Sequence, residues 1–173
     1  MRKHWAAAVF LLLSVTATSQ ARNDDAGVRK ELNASYHRMD QALSGSGGQQ
    51  LISAIDDTLA KGPYRDELML RAKHTMAAGG DKERVRTIQI KTTITKLAVS
   101  GNVALVNIFQ KGDLIQKDMT GEFGPKGATH HLTGGGYYLD KWVKQAGKWR
   151  LLSETFQNET MFVDGKKMPS PSN

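Results

Sequence analysis

The chain has 173 residues, a formal net charge of +7, 17 glycines and no cysteine. Without cysteine there is no disulfide framework, no thiol catalysis, no thiolate metal ligand and no site for lipid attachment at a processed cysteine. The basic residues are scattered and do not cluster with aromatics, so they are read as solubility and no nucleic-acid partner is expected.

The chain opens with Arg2 and Lys3, an apolar run from Trp5 to Val15 and a small polar stretch ending Ser19-Gln20-Ala21. This is the three-part pattern of a cleavable signal peptide, and the run is well short of the ~20 residues of a spanning helix. Residues 1–21 are therefore expected to be a signal peptide and residues 22–168 a single domain, with a frayed tail over 169–173. The product would be periplasmic or secreted, with no membrane anchor after cleavage.

Val28, Leu32, Tyr36, Met39 and Leu43 share one helical face, and Ser44-Gly45-Ser46-Gly47-Gly48 stops that helix. Leu51, Ile52, Ile55 and Leu59 mark a second helix, broken by Lys61-Gly62-Pro63. A third is expected from Arg65 to Ala78, closed by Gly79-Gly80. Beyond Asp81 the period becomes two. Strands are expected at Ile88 to Thr95, Val103 to Gln110, Leu114 to Met119, His130 to Lys144 and Lys148 to about Val163, with turns at Ser100-Gly101-Asn102, Lys111-Gly112-Asp113, Gln145-Ala146-Gly147 and Asp164-Gly165. Thr120 to Thr129, rich in glycine, is read as a loop. Three helices followed by a curved antiparallel sheet of four to six strands is an α+β pattern.

The segment Tyr138-Leu139-Asp140-Lys141-Trp142-Val143-Lys144-Gln145-Ala146-Gly147-Lys148-Trp149-Arg150-Leu151-Leu152, followed by Asp164-Gly165-Lys166, resembles the penultimate hairpin of the nuclear transport factor 2-like superfamily, in its SnoaL-like bacterial branch. The opening helix with Tyr36 and the turn Ser100-Gly101-Asn102-Val103-Ala104 fit the same template. The resemblance implies a cone: the sheet wraps round the first helix and leaves a central pocket. It also implies relatives as different as ketosteroid isomerase, scytalone dehydratase and polyketide cyclases, so fold alone does not settle function.

His130-His131 is the most conspicuous polar pair. Adjacent strand residues point to opposite faces, so one is expected outward and one inward, and no ligand spacing for zinc accompanies them. Gly134-Gly135-Gly136 is followed by a strand and not a helix, so it is read as a bulge or bend and not a phosphate loop. Neither a metal nor a cofactor is expected.

If Gln145-Ala146-Gly147 is a three-residue loop, Lys144 pairs with Lys148 and the more apolar set, Tyr137, Leu139, Lys141, Val143, Trp149, Leu151, Ser153 and Thr155, lines the concave side. Asp140 then lies outside, diagonal to Arg150, and Tyr138 and Trp142 on that outer face suggest a homodimer interface. The leading expectation is an exported small-molecule binding or accessory protein taking a small apolar or aromatic molecule, with Tyr36, His131, Tyr137, Trp149 and Ser153 as ligand-binding residues. The alternatives are a ketosteroid isomerase- or polyketide cyclase-like enzyme acting by proton transfer, and a protein-interaction module.

Overall fold

The computed structural model describes residues 5–45, 48–77 and 85–169. Three helices, α1 (Trp5–Ser44), α2 (Gly48–Thr58) and α3 (Pro63–Ala77), precede five strands: β1 (Val85–Ser100), β2 (Val103–Lys117), β3 (Thr129–Gln145), β4 (Lys148–Val163) and β5 (Lys166–Lys167). The strands form one antiparallel meander in chain order. No helix among the described residues is long and apolar enough to cross a membrane. The expected Gly79-Gly80 helix stop lies outside the described residues.

Helix α1 lies along the inner face of the sheet and buries Leu32 and Tyr36 against Ile94, Val106, Ile108 and Trp142. Helices α2 and α3 close over the same face, adding Ile55 and Ala72. Two polar contacts fasten the helices to the strands. The Asp40 carboxylate accepts the Thr92 N–H at 2.7 Å and the Thr92 hydroxyl at 2.7 Å, and the Ala60 N–H donates to the Leu151 carbonyl at 2.8 Å. The result is an α+β cone, a curled five-stranded sheet wrapped over three helices.

Three local expectations are corrected. Lys111-Gly112-Asp113 is not a turn: β2 runs through it, and Gly112 pairs with Ile90 on one side and Gly134 on the other. The triple glycine is likewise regular strand, and steric room explains it. A Cβ on Gly134 would strike the Thr160 carbonyl oxygen, and one on Gly135 would strike the Phe109 ring.

The third correction concerns the β3–β4 hairpin. Its loop is the two residues Ala146-Gly147, with φ of 49° and 78° and Gln145 paired to Lys148. Both φ values are positive, the geometry of a type I′ turn, which matches the twist of the flanking strands. Register then shifts twice. Trp142 pairs with Leu151 but Lys141 with Ser153, leaving Leu152 as an extra residue, and Tyr138 pairs with Phe156 but Tyr137 with Asn158, leaving Gln157 extra. Each bulge inverts the alternation of β4. Trp149 and Leu151 therefore face inward before the first bulge, and Glu154 after it. On β3 the even residues Tyr138, Asp140 and Trp142 face the helices, the reverse of the expected facing. Trp142 is fully buried, which removes it from any outer interface.

The loop between β2 and β3 follows the expected bounds and is organised by one side chain. The buried Asp118 carboxylate accepts N–H donors from Thr120, Gly121 and Phe123 at 3.0, 2.7 and 2.8 Å. Burial opposes ionisation of Asp118, but these backbone donors outweigh it and hold the carboxyl well below the usual range.

Candidate functional site

The centre of the cone is a hydrogen-bonded chain of three side chains brought together from distant parts of the sequence. The Trp142 indole N–H donates to the Tyr36 hydroxyl at 2.9 Å, and that hydroxyl donates to Asp140 Oδ2 at 2.5 Å. The two rings meet edge to face, centroids 5.2 Å apart. The helical period of α1 turns Tyr36 toward the sheet, and strand alternation puts Asp140 and Trp142 on one face, two residues apart.

Asp140 is 0% exposed, and its second oxygen, Oδ1, has no hydrogen-bond partner. Burial, set against the Tyr36 hydrogen bond and reinforced by the nearby Glu154, pushes its carboxyl up to about 7. Glu154 is its direct cross-strand neighbour on the same inner face. Burial raises the Glu154 carboxyl too, against a hydrogen bond from the Tyr64 hydroxyl. Both tyrosines are pushed upward, first by burial and then by the carboxylates they face, and so remain protonated donors.

Next to this cluster lies a cavity of about 280 Å³. Helix α1 contributes Tyr36, Met39 and Leu43 to its wall; α2 and the residue after it contribute Leu51, Ile55 and Leu59; α3 contributes Tyr64, Leu68, Arg71 and Ala72. The sheet closes it with Thr92, Ile108, Gln110, Leu151 and Glu154. The wall is largely apolar, with a few polar groups from both the helices and the sheet, the usual make-up of a small-molecule site. Asp140 is one step behind the wall and reaches the cavity through Tyr36.

Of the five residues expected to bind a ligand, Tyr36 alone lines this cavity. Trp149 is buried in the adjoining core, with the Lys144 ammonium 5.9 Å from its ring. Tyr137 is 45% exposed on the outer face and packs on Phe109, with centroids 4.9 Å apart. Ser153 shares that outer face opposite Lys141. His131 is also outward, its ring 2.8 Å from Asp113, whereas His130 is the buried one, its Nδ1 2.7 Å from Asp164. Asp140 and Glu154, conceivable in the sequence as an acid/base pair, were expected on the outer face, and Tyr64 was missed as a site residue. The signal for Asp140 was its spacing from Trp142: a tryptophan two residues along a strand shares its face, and so large an apolar group belongs in the core.

Asp140 makes stability depend on pH in a definite direction. Between its ordinary value of 3.8 and about 7, the folded chain keeps a proton that the unfolded chain releases. Stability is therefore full below about pH 4 and declines as pH rises to 7, by an amount on the order of a few kcal/mol. Chemical denaturation across pH 4–8 should show this decline in the parent protein and a clearly flatter profile in Asp140→Asn. Parallel profiles would place Asp140 in a solvated setting.

No protein-family model matches the chain, and no curated protein matches it in sequence. Solved structures do. A nuclear transport factor 2-like superfamily protein from Salmonella enterica is similar at 15% identity and a TM-score of 0.54, covering 76% of this chain and 91% of its own. A hexachlorocyclohexane dehydrochlorinase (LinA) Type2 is similar at 12% identity and a TM-score of 0.55, with coverage of 86% and 97%. A protein described as a scytalone dehydratase from Novosphingobium aromaticivorans is similar at 12% identity and 0.52, with coverage of 85% and 90%. At these identities the likeness concerns architecture: the chain has the nuclear transport factor 2-like cone fold.

Proposed function

We propose that the chain binds a small, largely apolar molecule in the cone cavity, held at its polar end by Glu154, Tyr64 and Tyr36. The observation that carries this reading is a cavity of about 280 Å³ with a largely apolar wall and a polar end backed by a buried carboxyl. A second reading, an enzyme acting by proton transfer, is favoured by Asp140 specifically. A carboxyl titrating near neutrality serves as acid or base, and Tyr36 is the group through which it would act on a bound molecule. Two of the similar folds are named as a dehydratase and a dehydrochlorinase, which makes this chemistry compatible with the architecture.

Titration with the uncharged fluorophore N-phenyl-1-naphthylamine tests the binding reading. Saturable fluorescence enhancement is expected, weakened at least about tenfold by Leu68→Trp, which fills the cavity, at unchanged circular dichroism. Equal binding by Leu68→Trp would show that the probe sits elsewhere.

Export and self-association are proposed alongside. Export is supported by the Arg2-Lys3 start and the Ser19-Gln20-Ala21 boundary. Pairing through the outer sheet face is supported by Tyr137 beside Phe109, with Leu105 45% and Ile115 36% exposed on the same face. Native mass spectrometry of the protein from its own cell reads both: two copies of a chain starting near Arg22 are expected. An intact Met1 would refute export, and a single-copy mass would refute pairing.

A further inference from the structure

The hydrogen bonds already made around the cavity say what kind of head group is missing from it. Six lining side chains are polar: Tyr36, Tyr64, Arg71, Thr92, Gln110 and Glu154. Each hydroxyl has one hydrogen to give: Tyr36 gives its own to Asp140 at 2.5 Å and Thr92 to Asp40 at 2.7 Å, while the Tyr64 hydroxyl faces the Glu154 carboxyl. Gln110 spends one N–H on the Thr92 hydroxyl at 3.2 Å. Arg71 is turned to the rim, where it pairs with Glu67 at 2.5 Å and its side chain is 72% exposed.

Unspent lone pairs therefore predominate. Ionised, Glu154 accepts only, and directly opposite it on the inner face Asp140 keeps a fully buried oxygen with no donor among the described residues. Two carboxyl groups thus share the inner face, and among the described residues the basic side chain of the cavity wall, Arg71, sits at the rim paired with Glu67. The titratable groups near Glu154 are Asp140 and Tyr138 on β3, Tyr36 on α1, and Tyr64 with Arg71 on α3; α2 supplies only apolar side chains to the cavity. A neutral acceptor or an anion entering here would meet lone pairs and negative charge. A cation would supply the missing donors and the missing charge together.

Resting on the reading of the cavity as a ligand site, we propose that its occupant is cationic: a primary or secondary ammonium carried on an apolar body, its N–H groups donated to Glu154 and its hydrocarbon packed against Leu51, Ile55 and Leu68. Tyr36 and Tyr64 line the same space, and aromatic side chains there favour a cation further.

Three compounds of matched shape decide the matter by calorimetry at pH 8: 2-phenylethylammonium, the neutral 2-phenylethanol and the anionic 3-phenylpropanoate. The ammonium should bind at least tenfold more tightly than either. Glu154→Gln should abolish that preference. Should Glu154→Gln fail to fold, the parent protein still answers: ammonium binding should weaken as pH falls from 8 and the inner carboxyls, raised by burial, take up protons, while alcohol binding stays constant. Binding of the alcohol or the acid as tight as that of the ammonium, or a preference that survives Glu154→Gln or the acid shift, overturns the cation proposal alone. Binding of none of the three also overturns it, and the N-phenyl-1-naphthylamine titration then reports separately whether the cavity takes ligands.

Discussion

The buried contact between Tyr36 and Asp140 is the constraint around which the rest of the cone is arranged. It joins residues 104 positions apart, α1 to the central strand β3, in a fully buried place. A carboxyl there is costly unless a donor meets it, and the phenol that meets it is itself fixed by the Trp142 indole. Those bonds fix the rotation of α1 and the facing of β3. With Asp140 inside, its cross-strand neighbour Glu154 must also be inside, and the bulge at Leu152 is what allows that while Trp149 and Leu151 still face the core.

Much of the architecture could be read from periodicity, because it depends on where apolar residues recur. The three helices, the hairpin positions and the change from period 3.6 to period 2 all follow from spacings such as Leu32–Tyr36–Met39 or Ile88–Ile90. The site could not be read that way. Facing along a hairpin depends on loop length and on bulges, and one residue of error exchanges the two faces. Ala146 at a positive φ carries no glycine signal for a two-residue turn, and nothing in Leu152 or Gln157 announces an extra residue. Counting apolar residues favoured the odd face of β3, which holds Leu139 and Val143. The fold instead buries the even face, where Trp142 packs into the core around Tyr36 and where Tyr36 makes burial of Asp140 tolerable. Gly112 and Gly134 misled for a related reason: a strand glycine that makes room for a neighbour looks, in sequence, like one that makes a turn.

The same arrangement bears on function. A cone cavity lined only by apolar groups and hydroxyls would point to passive binding. This one has one carboxyl, Glu154, on its wall and a second, Asp140, just behind it, both raised by burial. Carboxyls whose proton affinity is raised by burial are suited to receiving a cation, which lowers that affinity, or to moving a proton on a bound molecule. Both uses require Asp140 to be dry and inward, and neither survives if it faces solvent.

The most direct measurement is therefore the titration of Asp140 itself. Carbon-13 NMR of the Asp140 carboxyl carbon, assigned by comparison with Asp140→Asn, should give a midpoint near 7. A midpoint near the ordinary 3.8 would mean a solvated carboxylate, and would contradict the buried Trp142–Tyr36–Asp140 chain on which the account rests.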